Sequence, residues 1–423
     1  MKVLKLICVA SLLLYGSVTS EVQAGREQTS LEAADNALKA GKFAEAEKLY
    51  AKTLSADPKS QQAALGLARV ALFANRLADA EKWSKKAIEL KPDDKTAKLA
   101  LAEVYYRRDD FQRAAPLFRA AEREPVARKL ESFNTKPYDV RNRELVGHLK
   151  FLQTDPLPLV QVLVNGSGPV NFLIDTGGGE VIVDTEFAKE VSVPQFGVET
   201  GAYAGQRNAP LNNGRIDSLI LGGLEVRNLP VRILDTRRYA AVAHGKRIDG
   251  ILGTVLLYHF LATIDYQADE LVLRPRKKSS LLSFERVAAA EKQIVVPFWM
   301  AGDHFILAWG RVNQVAPLLL FVDTGLAGLG FTAPRSTLEA AGIKLPEDQS
   351  SEKTAARPST VRFTVNQLAL GEAVEKNIGG LFGVFEGELA GIRIAGLISH
   401  QFFRPYALTL DFTEMRLFLK RKN

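Results

Sequence analysis

At 423 residues, with 47% apolar and 24% charged residues, the chain exceeds what one hydrophobic core usually serves, and its composition is that of a globular rather than a disordered protein. Basic residues number 55 against 48 acidic, and the net charge of +7 is spread along the chain. The small clusters at Arg274 to Lys278 and Lys420 to Lys422 lack interleaved aromatics, so no nucleic-acid partner is expected.

The first residues read as a secretory signal over 1–24: Lys2 and Lys5, the run "LICVASLLLY", then Val22-Gln23-Ala24 as a cleavage site of the A-x-A kind. The apolar run is too short to span a bilayer, so the mature chain is expected to have no integral membrane segment and to be exported, periplasmic or secreted. Cys8, the only cysteine, lies inside this signal, and disulfides are not expected to hold the fold.

A period of 34 follows. Phe43, Leu77 and Phe111 share it, as do Ala46, Ala80 and Ala114, and Pro58 and Pro92. Small residues stand where two helices must approach closely, and a proline closes each of the first two units. This pattern resembles the tetratricopeptide repeat, with about three units over 25–126, and Pro116 is expected to kink the third. The resemblance implies stacked helical pairs whose concave groove could take a protein partner. Residues 127–146 lose the period and read as a linker.

Beyond the linker the periodicity changes to short β-branched runs joined by Gly and Asn turns, such as "LVQVLVNGSGPVNFLID", "SLILGGLEVRNLPVRILD" and "LATIDYQADELVLRP". The series then recurs. Asn165 precedes Asp175 by ten residues and Asn313 precedes Asp323 by ten, while Gly222 and Asn228 map onto Gly371 and Asn377. Residues 147–278 and 279–423 are therefore two copies of one lobe. The expected fold is an all-α repeat domain followed by an all-β, double-lobed domain.

Each copy carries Asp-Thr-Gly after a run of apolar residues, at Asp175 and at Asp323. One such tripeptide is weak evidence, because turns favour Asp and Gly for their own reasons. In two lobes related by a pseudo-twofold axis, equivalent loops meet and the two carboxyls face each other. Such a pair cannot readily lose both protons, so one acid and one base share a site and can activate a water between them. Gly177 and Gly325 give the backbone close approach to the carboxylates, and Thr176 and Thr324 offer hydroxyls that can lock one loop to the other.

With "IDGILGTVLLYHF" after the first motif and "IAGLISHQFF" after the second, the stretch from about 145 to 423 resembles the pepsin and retropepsin clan of aspartic proteases. The resemblance is to the single-chain, two-lobe version built from bacterial retropepsin-like units. The resemblance implies an aspartic endopeptidase with Asp175 and Asp323 as its catalytic pair, no cofactor, and a protein or peptide substrate. It also implies that Ile251, Leu252 and Gly253 pack under the first catalytic loop; Ser399 stands where Gly253 has its counterpart, and its side chain is expected to crowd the second. A flap over the substrate matches best at residues 201–214, with Tyr203 and Gly205 near its tip. Asp184-Thr185 is read as a strand end. The five histidines form no close ligand pair, and no metal is expected. The competing reading is a non-catalytic peptide-binding protein that combines the repeats with a protease-like double lobe.

Overall fold

The computed structural model describes residues 30–203, 206–302, 304–345 and 360–421. The signal expected over 1–24 lies outside them. The chain forms two compact units, one reaching to Leu72 and including Arg76–Leu101, the other made of Phe73–Asn75 and Ala102–Asn423.

The first unit is helical. Helix α1 covers residues 30–39, followed by α2 (Phe43–Ala56), α3 (Gln61–Phe73), α4 (Leu77–Leu90) and the first half of α5 (Lys95–Arg107). Phe43 and Leu77 begin α2 and α4, so the 34-residue period marks helix starts. Ala64, Ala87 and Ala97 are wholly buried and pack together, because only a methyl group fits where helices cross at short distance. Gly66 goes further: a Cβ there would strike the Tyr50 ring.

The second unit begins with the end of α5 and continues with α6 (Phe111–Ala120) and α7 (Glu124–Glu131). Helix α6 contains Pro116 and has 10 residues, against 14 in both α2 and α4. Residues 124–131, placed in the repeat and linker by their lost period, form a helix with Val126, Ala127, Lys129 and Leu130 buried. In lobe one the strands are β1 (Asp139–Val140), β2 (Gly147–Lys150), β3 (Leu159–Val164), β4 (Ser167–Ile174), β5 (Val181–Asp184), β6 (Gln195–Tyr203), β7 (Gln206–Leu221), β8 (Leu224–Leu234), β9 (Gly250–Leu252), β10 (Phe260–Asp265) and β11 (Glu270–Pro275). Short helices α8 (Thr185–Glu190) and α9 (Thr254–Leu257) follow β5 and β9.

Helix α10 (Lys278–Ala290) leads into lobe two: β12 (Ile294–Ala301), β13 (Phe305–Val312), β14 (Val315–Val322), β15 (Phe331–Thr332), α11 (Arg335–Ala340), β16 (Val361–Leu370), β17 (Ala373–Phe382), β18 (Glu388–Leu389), β19 (Ile392–Arg393), β20 (Gly396–Ile398), α12 (His400–Phe403), β21 (Tyr406–Asp411) and β22 (Arg416–Arg421).

The expectation of an all-α domain followed by an all-β one is overturned. Helices of the third repeat and of the former linker belong to the unit that holds the strands, and that unit carries α8 to α12 as well. The physical reason lies in α7. It has buried apolar residues on one face and packs against α6 as well as β6 and β7, so it joins the helices to the β-rich core. The result is a helical unit followed by a β-rich one with two lobes.

The lobes repeat one strand order. In lobe one β4 runs parallel to β9, β9 antiparallel to β5, and β5 parallel to β8; in lobe two β14, β20, β15 and β17 pair in the same senses. The repeated asparagines explain the matching turns. Asn165 and Asn313 adopt left-handed φ values of 49° and 51°, and their side-chain oxygens accept backbone N–H bonds from Ser218 and Gln367 respectively. Six consecutive strands of a twelve-stranded sheet, in the order β2, β11, β10, β21, β22, β12, join the lobes. At the centre of these six Thr263 pairs with Thr409, their hydroxyls 2.8 Å apart, which marks the pseudo-twofold axis.

Candidate active site

Apolar residues carry each motif to the axis. Phe172, Leu173 and Ile174 in β4, and Leu319 to Val322 in β14, are all buried, and strands buried on both faces read as continuous apolar runs. The next residue leaves the strand with its amide still held: Asp175 N–H donates to Leu252 O and Asp323 N–H to Ile398 O, both at 3.1 Å. Both aspartates keep part of their surface exposed.

The two loops interlock. Thr176 N–H donates to Thr324 Oγ1 at 3.0 Å, Thr324 N–H donates to Thr176 Oγ1 at 3.0 Å, and the Thr176 hydroxyl donates to Val322 O at 2.9 Å. Both threonines are fully buried. A hydroxyl both donates and accepts, so a short residue that fits against the opposite backbone can satisfy a buried amide from each side.

The Asp175 and Asp323 carboxyls hydrogen-bond to each other, and each accepts its own glycine amide, Gly177 at 2.7 Å and Gly325 at 2.8 Å. Neither glycine has a positive φ. What requires glycine is contact across the axis. A Cβ on Gly177 would overlap the Asp323 carboxyl, and one on Gly325 would overlap that of Asp175. Each lobe's glycine makes room for the other lobe's acid.

Burial raises the pKa of both acids. For Asp323 the Asp175 charge adds to burial and carries its value well above the ordinary carboxylate range. For Asp175 the hydrogen bonds from Asp323, Gly177 and Gly178 favour the ionised form and oppose burial. The pair thus holds one proton and one charge between them, and the two acids titrate as a unit.

Ser399 does not crowd the second loop. Gly253 and Ser399 occupy matching positions, at the N-termini of α9 and α12. In lobe one a Cβ on Gly253 would collide with the carbonyls of Gly178, Gly179 and Glu180. In lobe two the chain takes another path, and the buried Ser399 Oγ accepts the Leu326 amide at 3.0 Å. The serine fastens the loop.

Tyr203 is the last residue of β6, and Gly205 lies outside the described residues, as does the lobe-two stretch 346–359. Asp184 ends β5 and caps α8, accepting from the amides of Glu186 and Phe187. Two residues near the pair escape a motif search. Tyr239, in the short helix Arg237–Ala243, lies close enough to feel the Asp175 charge and packs with Leu211, Val242 and Ala327 on an apolar cluster. Glu180, five residues after Asp175, is buried. Its sequence signal is an acid where glycine and apolar neighbours predominate.

Residues 160–256 match a family model described as aspartyl protease, and residues 31–95 and 85–127 match one described as tetratricopeptide repeat. No curated protein sequence matches the chain. Among solved structures, basic 7S globulin from soybean is similar at 12% identity, over 68% of this chain and 96% of that one, with a TM-score of 0.39. A mutant O-GlcNAc transferase of Thermobaculum terrenum is similar at 19% identity, over 26% of this chain and 21% of that one, with a TM-score of 0.24. The chain carries an aspartyl protease domain preceded by tetratricopeptide repeats.

Proposed function

We propose that the protein is an exported aspartic endopeptidase that hydrolyses peptide bonds with a water activated between Asp175 and Asp323. The observation that supports it most is the meeting of two carboxyls on loops locked together by Thr176 and Thr324. Ionised Asp175 takes a proton from water as its oxygen attacks the peptide carbonyl carbon, and Asp323 gives its proton to the carbonyl oxygen. As the tetrahedral intermediate collapses, Asp175 passes its proton to the leaving nitrogen, the C–N bond breaks, and Asp323 recovers a proton from the hydroxyl that becomes the new carboxyl. The dyad ends as it began.

In this reading the substrate lies extended under the β6–β7 hairpin and pairs its backbone as an added strand. The helices of the first unit serve to recruit a protein substrate or partner. Export is proposed from the basic and apolar residues at the N-terminus. No helix among the described residues is long and apolar enough to cross a membrane.

The test is digestion of a denatured protein mixture by the purified chain, with and without a statine-type inhibitor, and mapping of the cuts by mass spectrometry. Inhibitor-sensitive internal cuts that vanish in Asp175→Asn are expected. Cuts that persist in that variant would refute the assignment.

A further inference from the structure

A lysine with no exposed surface is unusual in a folded protein, because its ammonium loses water that only close partners can replace. Lys129, in the middle of α7, is such a residue at 0% exposure. Its Nζ donates to both carboxylate oxygens of Glu180, at 2.8 and 2.6 Å. The same carboxylate accepts the Tyr106 hydroxyl at 2.6 Å and faces Arg232 Nε at 3.2 Å. Helix α5, helix α7 and strand β8 thus converge on one anion.

That anion belongs to the loop of Asp175. The loop backbone is fastened from below, Thr254 N–H donating to Gly178 O at 2.9 Å and Val255 N–H to Gly179 O at 3.0 Å. Its far end is fastened by the Glu180 side chain. Lobe two manages without this device: Ile182 faces Ile251 as Thr332 faces the matching Leu397, so the counterpart of Glu180 is Gly330, which has no side chain. The pair is therefore an addition to the duplicated fold.

A second ion pair makes the same connection to the strand leading to the hairpin tip. Arg232 also donates to Glu199 on β6 at 2.7 Å, and Arg123, at the start of α7, donates to the same Glu199 oxygen at 3.0 Å. The sequence Lys129, Glu180, Arg232, Glu199, Arg123 is a continuous run of opposite charges that leaves α7 at one residue and returns at another.

We propose that α7 is a positioning element of the active site, with Lys129 holding the Asp175 loop through Glu180 and Arg123 holding the flap strand through Glu199. The inference rests on the proteolytic reading above and assigns to a helix in the repeat-to-lobe region a part in shaping the site. Lys129 is a positioning residue, because it reaches the reacting atoms only through the loop.

The test compares full-length wild type with Lys129→Met, Glu180→Gln and the double variant, by kcat and KM on a cleaved peptide and by hydrogen exchange of the segment 171–184. Lys129→Met leaves buried Glu180 with Arg232 as its remaining cation and cuts its tie to α7; kcat should fall about 10²-fold with KM within about threefold, and exchange in the loop should rise. In the double variant the Lys129 and Glu180 charges are gone together and Arg232 keeps Glu199 as its partner, so kcat should return to within about tenfold of wild type and loop protection should recover. A folded Lys129→Met with wild-type kcat and wild-type loop exchange overturns the proposal and leaves the pair a purely stabilising one. If Lys129→Met does not fold, Glu180→Gln is read by the same criteria. If the wild type cleaves nothing, the proteolytic reading fails, and loop exchange alone decides whether α7 holds the loop.

Discussion

The two lobes share the main contacts on the axis and differ in most contacts behind it. Asp175 and Asp323, Thr176 and Thr324, and Gly177 and Gly325 mirror one another, down to amide bonds of 2.7 and 2.8 Å. Behind the axis, the first loop runs through Gly178 and Gly179 to a carboxylate held by Lys129, Tyr106 and Arg232. The second loop is held by Ser399 Oγ on the Leu326 amide and by Pro156 O on the Gly328 amide. Its neighbouring helix is tied to lobe one as well, through His400 and Arg404 on Asp155 at 2.8 and 2.7 Å. The comparison teaches where symmetry is enforced. Atoms that must meet their own copies admit one geometry, whereas supports need only fix the loop and can be rebuilt from whatever lies near.

The sharpest test of the shared axis is the dyad. Replacing either Asp175 or Asp323 by Asn should lower kcat by at least about 10³-fold, and the double variant should be no worse, because the two acids act as one unit. Single variants that retain most of the activity would break the equivalence. The same substitution at Asp323 has an opposite effect on stability. Its folded-state pKa is raised, so its contribution favours folding below the unfolded carboxylate range and is lost as pH rises through the folded value. Asp323→Asn should therefore melt a few degrees above wild type at pH 8, a gain of about 1–3 kcal/mol that disappears below about pH 3. A melting difference independent of pH would deny the buried, shared proton.

Next in size are the glycines. Gly177→Ala and Gly325→Ala should each reduce kcat by about 10²-fold with similar losses, since each methyl enters the opposite carboxyl. Unequal effects, measured on folded protein, would show that the symmetry is less strict than the hydrogen bonds suggest.

The supports should respond unequally. Gly253→Ser places Cβ among three backbone carbonyls and should destabilise the fold by about 3 kcal/mol or more in denaturant melts. Ser399→Ala removes one buried hydrogen bond and should cost about 1–3 kcal/mol. Equal values would contradict the different loop paths.

The smallest effect concerns acidity. Neither Gly178 nor Leu326 has a hydroxyl to donate to a carboxylate, and both acids are raised by burial. Activity should peak in the weakly acidic to neutral range, about pH 5–7, and Gly178→Ser with Leu326→Thr should move the acidic limb downward, because a bond to the charged form lowers a pKa. A pH–rate profile peaking near about pH 2–3, or a limb unmoved in the folded double variant, would assign that acidity to other groups.

The 34-residue period, the doubled Asp-Thr-Gly and the paired asparagines are local and repeated, and repetition is what a single sequence displays best. Because a strand that ends in Asp-Thr-Gly occurs twice in duplicated lobes, the meeting of Asp175 with Asp323 and the locking of their threonines follow from the chain alone. Partnerships between unrelated segments do not. Lys129 and Glu180 stand 51 residues apart without a shared motif, and nothing in residues 124–131 says that this helix will pack against β6 and β7 as well as against α6. Ser399 likewise looks like a misfit for Gly253 until the path of the second loop is known. Short-range pattern is set by backbone geometry, which each residue carries with it; burial of a charge or a side chain depends on which surfaces arrive together, and only the tertiary structure decides that.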